Sequence, residues 1–180
     1  MLCEGALAPE VNLPRVKNLF SIVRSAIFAA LFIWLVMWLL PRWIGIHADW
    51  HAPEAEPLRW IGLVPFVGGC ILMLTCVWRF STTGQGTPMP LDPPRKFVAV
   101  GPYRYVRNPM YLGMALALIG EAILFADRAS LTRIVVYGLA LVVIIVLFVL
   151  LYEEPALRRR FGFEYENYCR KVNRWWPSRP

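Results

Sequence analysis

The chain has 180 residues, about the length of one domain, and 58% of them are apolar whereas 17% are charged. Soluble domains are about 45–50% apolar and about 25% charged. A chain of this size cannot hide so much apolar surface in a core, so the composition argues against a soluble globule, a disordered chain and a coiled coil. In so apolar a chain, the net charge of +7 indicates positively charged loops that orient a membrane protein in the bilayer. We therefore expect no nucleic-acid partner.

Four apolar stretches are each long enough to cross a bilayer core of about 30 Å as a helix. They cover residues 19–40, 60–77, 110–126 and 134–151. The sequence therefore predicts an all-α, polytopic membrane protein with about four transmembrane helices in a lipid bilayer.

The distribution of Lys and Arg predicts how these helices are oriented. Residues 1–24 contain three, residues 79–107 contain five and the C-terminal tail contains seven, whereas the loops 41–59 and 127–133 contain two each. Because cytoplasmic loops carry the excess of positive charge, we expect a multi-pass protein with both termini and the middle loop in the cytoplasm.

The cysteines and histidines give no sign of a metal site. The four cysteines lack any spacing typical of metal ligands. His47 and His51 are spaced to share a helix face, but Pro53 and Pro57 favour two exposed histidines in the outer loop. The cytoplasmic side then has no histidine, and any acid–base role there falls to other side chains or to the substrate.

A segment rich in arginine and tyrosine precedes the third predicted span. Residues 101–113 read Gly-Pro-Tyr-Arg-Tyr-Val-Arg-Asn-Pro-Met-Tyr-Leu-Gly. Pro109 suits the first turn of a helix, and Asn108 is placed to cap it. Free N–H groups beside Arg104 and Arg107 form a candidate site for an anion, which makes these arginines candidate substrate ligands. The same residues also suit the positive-inside rule and the aromatic belt.

The fourth predicted span ends in Tyr152-Glu153-Glu154-Pro155. Two carboxylates at the C-terminal end of a helix oppose its dipole, and burying them at the membrane boundary is costly without compensation. The pair therefore needs a partner, which is either an arginine of the preceding loop, as a structural clamp, or a bound cationic ligand.

An apolar stripe with helical spacing follows: Leu157, Phe161, Tyr165, Tyr168 and Val172. With the surrounding arginines it predicts a C-terminal amphipathic helix on the inner membrane surface, interrupted near Gly162. The same helix is also compatible with a lid over a cytosolic pocket.

Together, Gly101-Pro-Tyr-Arg-Tyr-Val-Arg-Asn-Pro-Met-Tyr111 and Tyr152-Glu-Glu-Pro-Ala-Leu-Arg-Arg-Arg-Phe-Gly-Phe-Glu-Tyr-Glu-Asn-Tyr168 resemble the isoprenylcysteine carboxyl methyltransferase and phospholipid methyltransferase superfamily. The resemblance implies an integral membrane enzyme that transfers a methyl group from S-adenosylmethionine to a lipid-like or small hydrophobic acceptor. It covers the chain from about residue 86 onward, and implies one methyltransferase domain over residues 1–180 with its cofactor-binding half in 86–180.

The resemblance also implies which residues contact the cofactor: Lys96, Phe97, Val98, Tyr103, Asn108, Pro109, Met110, Tyr111, Glu153 and Glu154. It assigns no residue to catalysis. Methyl transfer by in-line displacement depends on proximity, alignment and a dry pocket more than on acid–base groups.

Two departures from the superfamily pattern narrow this expectation. The superfamily often has Arg-His-Pro where this chain has Arg107-Asn108-Pro109, which argues against a proton role for a histidine. Residues 147–150 are apolar where the prenylcysteine branch has an arginine, which argues against a prenylcysteine substrate. Two alternatives stay open: a membrane reductase of the sterol-reductase type that uses NAD(P)H, and a non-catalytic membrane module of the same fold.

Overall fold

The computed structural model describes residues 23–24, 26–27, 29–43, 57–84, 97–126 and 128–178. Within these ranges all regular secondary structure is helical, and the predicted all-α class is confirmed. His47, His51 and the start of the first predicted span lie outside them.

Five helices carry the fold: α1 (Ala29–Trp43), α2 (Pro57–Gly84), α3 (Pro109–Phe125), α4 (Arg128–Phe148) and α5 (Glu154–Lys171). A short 3₁₀ turn, Gly101–Arg104, precedes α3. A π-helical turn, Val149–Glu153, joins α4 to α5 without a loop, so that Ser130–Lys171 is one long helix.

Two of these helices are long and apolar enough to cross a membrane by length and composition: Pro57–Gly84 and Ser130–Lys171. The apolar helices α1 and α3 are shorter in the part of the chain that the structure describes. These findings support a membrane location, while the count of four spans and the orientation of the termini stay predictions.

Helices α2 and α3 make the most extensive contact between helices. A Cβ atom added to Gly62 would lie 2.7 Å from the carbonyl oxygen of Gly120, and one added to Gly113 would lie 2.9 Å from that of Gly69. Real Cβ atoms do not come this close, so only glycine permits this approach of the two backbones. The tight pair fixes the position of the residues that start α3.

Helix α4, by contrast, packs loosely. Only 6% of the most apolar 18-residue stretch of Ser130–Lys171 is buried, and the contact of α4 with α3 is limited. Apolar side chains such as Leu139 and Val143 are exposed along it, as expected of a surface that faces lipid. The loose packing leaves an open groove between α3 and α4.

Helix α5 contains the predicted interruption. Gly162 has a φ of 50°, a backbone conformation that residues other than glycine rarely adopt. Its stripe faces a cavity, which is lined by Leu157, Phe161, Tyr165 and Tyr168. Of the two interpretations of this helix, the structure therefore favours the wall of a pocket over an anchor on the membrane surface.

Candidate functional site

A narrow cavity of about 40 Å³, here called the polar cavity, lies where the start of α3 meets the junction of α4 and α5. Four stretches of chain converge on it: the end of α2, the segment before α3, the junction of α4 and α5 with its two carboxylates, and the stripe of α5. Its lining residues are Phe80, Phe97, Val98, Tyr103, Arg107, Asn108, Glu153, Glu154, Leu157, Phe161, Tyr165 and Tyr168.

Aromatic residues make up half of the wall. The Phe97 ring lies 5.4 Å from that of Phe161 and 5.0 Å from that of Tyr168, measured between centroids. Tyr103 is buried and meets the ring of Phe80 edge to face at 5.3 Å. The Tyr168 hydroxyl donates a hydrogen bond of 2.6 Å to the carbonyl oxygen of Tyr103, which ties α5 to the loop before α3.

Glu154 is held between two arginines and is only 6% exposed. Arg174 donates from Nε to Oε1 at 2.7 Å and from Nη2 to Oε2 at 2.9 Å, and Arg107 donates from Nη1 to Oε1 at 3.0 Å. Burial alone would raise the pKa of Glu154, but the hydrogen bonds from Arg174 and the charge of Arg107 outweigh it and lower that pKa. Glu154 is therefore ionised, and both of its oxygens are occupied.

Glu153 has different neighbours, although it is the adjacent residue. The Tyr111 hydroxyl donates to its Oε2 at 2.9 Å, and no described cation forms a salt bridge with it. Burial raises the pKa of Glu153, the hydrogen bond from Tyr111 opposes this rise, and the charge of Glu154 adds to it. The cavity thus contains a carboxylate without a counter-charge among the described residues.

Arg107 contributes a second polar group that lacks a partner. Its Nη1 donates to Glu154 and also to the sulfur of Cys169 at 2.9 Å. Its Nε is buried and is the one such side-chain atom without a hydrogen bond in the described ranges. A buried donor without an acceptor is costly, so this atom favours an acceptor supplied by a ligand.

The C-terminal residues 172–178, here called the strap, run back across the start of α3. The amide of Arg107 donates to the carbonyl oxygen of Asn173 at 2.9 Å, and the amide of Ser178 donates to that of Tyr105 at 2.7 Å. Together with the ion pair of Arg174, these bonds hold the strap against the segment that lines the cavity.

Asn108 takes part in the same attachment. It occupies the capping position of α3, and Pro109 occupies the first turn, as predicted. The prediction that the Asn108 side chain caps the helix is wrong, because its oxygen accepts no hydrogen bond from the first turn of α3. Its Nδ2 donates to the carbonyl oxygen of Arg174 at 3.3 Å, which orients the side chain toward the strap.

A second, more open cavity of about 320 Å³ lies between α3 and α4. We call it the lateral groove. Its lining residues are Tyr111, Leu112, Met114, Ala115, Leu118, Gly138, Leu141, Val142, Ile145, Val146, Trp175 and Trp176. Tyr111 thus lines the groove and also bonds to Glu153 in the polar cavity.

The sequence of residues 58–164, more than half of the chain, matches the phospholipid methyltransferase family. The chain belongs to the phospholipid methyltransferase family. The superfamily that the two motifs predicted is therefore confirmed, and the match includes the first motif, the second motif as far as residue 164, and nearly all of α2. No curated protein and no solved structure is significantly similar to the chain.

Most of the cofactor residues predicted for this phospholipid methyltransferase family member come together in the structure. The predicted cofactor residues that line the polar cavity are Phe97, Val98, Tyr103, Asn108, Glu153 and Glu154, and Arg107, which was predicted as a substrate ligand, lines it as well. Tyr111 reaches it through its hydroxyl, Pro109 is buried at the start of α3, and Met110 packs against the buried cluster of Cys76, Val98 and Tyr103. Arg104 is exposed and does not line the cavity, and Lys96 lies outside the described residues.

Sequence reasoning missed several residues of the cavity wall. The sequence predicted that Tyr165 and Tyr168 belong to the apolar stripe, but it left open whether that stripe faces the membrane surface or a pocket. Phe80 continues α2 beyond the predicted span. Arg174 has no local signal, because it meets Glu154 only through the path of the strap. In the described part of the chain no group of His, Cys, Asp and Glu could hold a metal ion.

Proposed function

We propose that this protein is an integral membrane methyltransferase that moves a methyl group from S-adenosylmethionine to a lipid-like acceptor. One observation carries the proposal: the polar cavity combines Glu153, a carboxylate without a described counter-cation, with Arg107 Nε, a buried donor without an acceptor. The family membership supports the reaction class.

The polar cavity fits the chemical groups of this cofactor. S-adenosylmethionine carries an ammonium, a sulfonium, ribose hydroxyls, a carboxylate and an aromatic base. Glu153 would hold the cationic or hydroxyl groups, and Arg107 Nε would hold the carboxylate. The rings of Phe97 and Tyr103 would lie against the base, since flat aromatic surfaces favour such contacts.

The lateral groove supports a hydrophobic acceptor. Its walls on α3 and α4 are apolar side chains of segments that we place within the membrane, such as Leu118 and Val142. A molecule with a hydrocarbon part would reach the groove from the bilayer. Tyr111 lies at the boundary between the groove and the polar cavity, so the reactive end of the acceptor and the cofactor would meet beside it.

The chain contributes positioning rather than acid–base catalysis. When bound, S-adenosylmethionine supplies an electrophilic methyl group on its sulfonium. Glu153 and Arg107 orient the polar end of the cavity, while the aromatic wall excludes water from it. Asn108, which replaces the histidine of many relatives, is bonded to the strap and needs no proton-transfer role.

We further propose that residues 1–180 form one domain with four spans and both termini in the cytoplasm, with the cofactor half in residues 86–180. The charge distribution supports this orientation. Cysteines introduced singly at Tyr103 and His51 should be labelled from opposite sides of a sealed vesicle. Labelling of both from one side would contradict the topology and the cytoplasmic cofactor site together.

The direct test uses the full-length protein in lipid nanodiscs. We expect S-adenosylmethionine to bind, measured by calorimetry, and NADPH not to bind. A methyl-labelled donor should then transfer its label to lipids of a total phospholipid extract. Binding of NADPH alone would favour the reductase, and binding of neither compound would favour a non-catalytic module.

A further inference from the structure

One end of the lateral groove differs from the rest of it. At this end the rings of Tyr111 and Trp175 line the groove, with their centroids 6.5 Å apart and an angle of 55° between their planes. We call these two residues the aromatic pair. On the side of the polar cavity, the Tyr111 hydroxyl donates to the Glu153 carboxylate at 2.9 Å. The aromatic pair therefore lies where the reactive end of the acceptor would meet the cofactor.

The strap fixes the position of Trp175. On one side of this residue, Arg174 donates two hydrogen bonds to Glu154. On the other side, the amide of Ser178 donates to a backbone carbonyl oxygen before α3 at 2.7 Å. Trp175 itself is partly buried, so one part of its ring is held by the protein while the groove stays open beside it. A ring held in this way can contact the head of a bound acceptor.

The charges around the aromatic pair favour a cation over an anion. None of the described residues that line the lateral groove is charged. Glu153 lies one hydrogen bond beyond Tyr111 and forms no salt bridge with a described cation. The faces of aromatic rings are negative, and they attract an ammonium group within about 6 Å of the ring centroid. An acceptor with an amine head therefore suits this end of the groove better than one with a carboxylate head.

We infer that Trp175 is a specificity-determining residue that sets how many methyl groups an amine acceptor receives. The inference rests on the proposed function and names the head of its acceptor. Before each transfer the ammonium head releases one proton to water at the open side of the groove, which frees the lone pair of its nitrogen. That lone pair forms the new N–C bond while the C–S bond of the donor breaks, and the sulfur keeps the electron pair. Three such transfers give a quaternary ammonium.

The physical argument concerns the water that the head loses when it meets the aromatic pair. An ammonium with three N–H groups is strongly hydrated, and the apolar walls of the groove do not replace that water. Each added methyl group removes one N–H donor and adds apolar surface, so contact with aromatic faces becomes more favourable as methylation proceeds. Trp175 thus favours partly methylated heads over unmethylated ones in the next transfer.

The test compares the full-length wild-type protein in nanodiscs with Trp175→Phe, Trp175→Leu and Trp78→Ala. Phenylalanine keeps an aromatic face, whereas leucine keeps only apolar surface. Trp78 is an exposed tryptophan of α2 that does not line the groove, so its variant controls for the loss of an indole at the protein surface. The probes are one total phospholipid extract and a methyl-labelled donor. Mass spectrometry reads the ratio of trimethylated to monomethylated heads, and calorimetry reads the affinity for S-adenosylmethionine.

We expect Trp175→Leu to lower that ratio by about five-fold, the scale of a partly exposed contact between a cation and an aromatic ring. Trp175→Phe should keep most of the original ratio, and Trp78→Ala should leave it unchanged. The affinity for S-adenosylmethionine should stay within about two-fold in all variants, since Trp175 does not line the polar cavity.

A second measurement separates charge from shape. A lipid with a trimethylammonium head should inhibit the wild-type protein more strongly than a lipid with a neutral tert-butyl head of the same shape, because only the first is a cation. The difference between the two inhibitors should become smaller in Trp175→Leu and stay unchanged in Trp78→Ala.

An unchanged product ratio in Trp175→Leu, or equal inhibition of the wild type by the two heads, would overturn the inference and leave the proposed function intact. Transfer of the label to an oxygen atom of the lipid, or a wild-type protein that stops after one methyl group, would do the same. A parallel loss of cofactor affinity and of turnover in Trp175→Leu would also overturn it, because Trp175 would then support the fold. Failure of the wild-type protein to bind S-adenosylmethionine, or to methylate any lipid of the extract, would overturn the proposed function itself.

Discussion

Glu153 and Glu154 are neighbours in sequence, yet their surroundings are opposite. Glu154 is enclosed by Arg107 and Arg174, which lower its pKa in spite of burial. Glu153 receives one hydrogen bond, from the uncharged hydroxyl of Tyr111, and burial raises its pKa. Consecutive helical residues point about 100° apart, so two adjacent side chains can face separate groups. The comparison teaches that the protein compensates the charge of one carboxylate of the pair, while the other has no counter-cation among the described residues.

The largest expected effect is on stability, from Glu154→Gln. The change leaves two guanidinium groups near each other with no carboxylate between them. Breaking a buried ion pair by removing one partner costs about 3–5 kcal/mol. Thermal unfolding of the cofactor-free protein in nanodiscs should show a clear fall in Tm. A Tm equal to that of the wild type would mean that Glu154 is not the structural member of the pair.

Glu153→Gln should act on binding instead. The loss of a hydrogen bond to a charged group is worth about 1.5–3 kcal/mol, or about ten- to a hundred-fold in the Kd of S-adenosylmethionine. The Tm of the cofactor-free protein should stay level or rise, since the variant removes a buried charge that has no counter-cation among the described residues. Calorimetric titration of the variant measures the first quantity, and a thermal melt without cofactor measures the second.

The two carboxylates should also give opposite dependences on pH. Glu154 has a lowered pKa, so its contribution to stability is present above the ordinary carboxylate range and is lost as the pH falls through the folded-state pKa. Glu153 has a raised pKa, so its contribution is present at low pH and is lost as the pH rises through the folded-state value. When the free energy of unfolding is measured against pH, the loss of stability at acid pH should be smaller in Glu154→Gln. The loss of stability as the pH rises should be smaller in Glu153→Gln.

Tyr111→Phe should have the smallest effect. It removes the hydroxyl that bonds to Glu153 and keeps the ring that lies against Trp175. We expect the affinity for S-adenosylmethionine to fall by about 0.5–1.5 kcal/mol, a few-fold to ten-fold. Because the hydrogen bond from Tyr111 lowers the pKa of Glu153, its removal should move the pH at which the cofactor binds half-maximally to a higher value. An unchanged pH profile of cofactor binding would mean that Tyr111 does not act on Glu153 in the binding site.

The sequence alone predicts much of this arrangement. The helical class, the boundaries near Pro109 and the break at Gly162 follow from apolar runs and from the conformational limits of proline and glycine. The need of Glu153 and Glu154 for a partner follows from the cost of burying charge beside a helix terminus. These features depend on residues close together in the chain.

The division of roles between the two carboxylates could not be predicted in the same way. Both oxygens of Glu154 accept hydrogen bonds from Arg174, which belongs to the strap. The π-helical turn Val149–Glu153 also sets the directions of the two carboxylate side chains, and no local sequence pattern predicts this turn. The predicted Asn108 cap was wrong for a related reason, because a hydrogen bond to a carbonyl oxygen of the strap orients this side chain. Tertiary proximity decided each of these cases.

The central claim, that Glu153 binds the cofactor and Glu154 supports the fold, is tested most directly by titrating S-adenosylmethionine into Glu153→Gln alongside a melt of the same variant without cofactor. The account predicts a Kd raised about ten- to a hundred-fold with a Tm that does not fall. An unchanged Kd together with a lowered Tm would contradict it, because Glu153 would then be a structural residue like its neighbour.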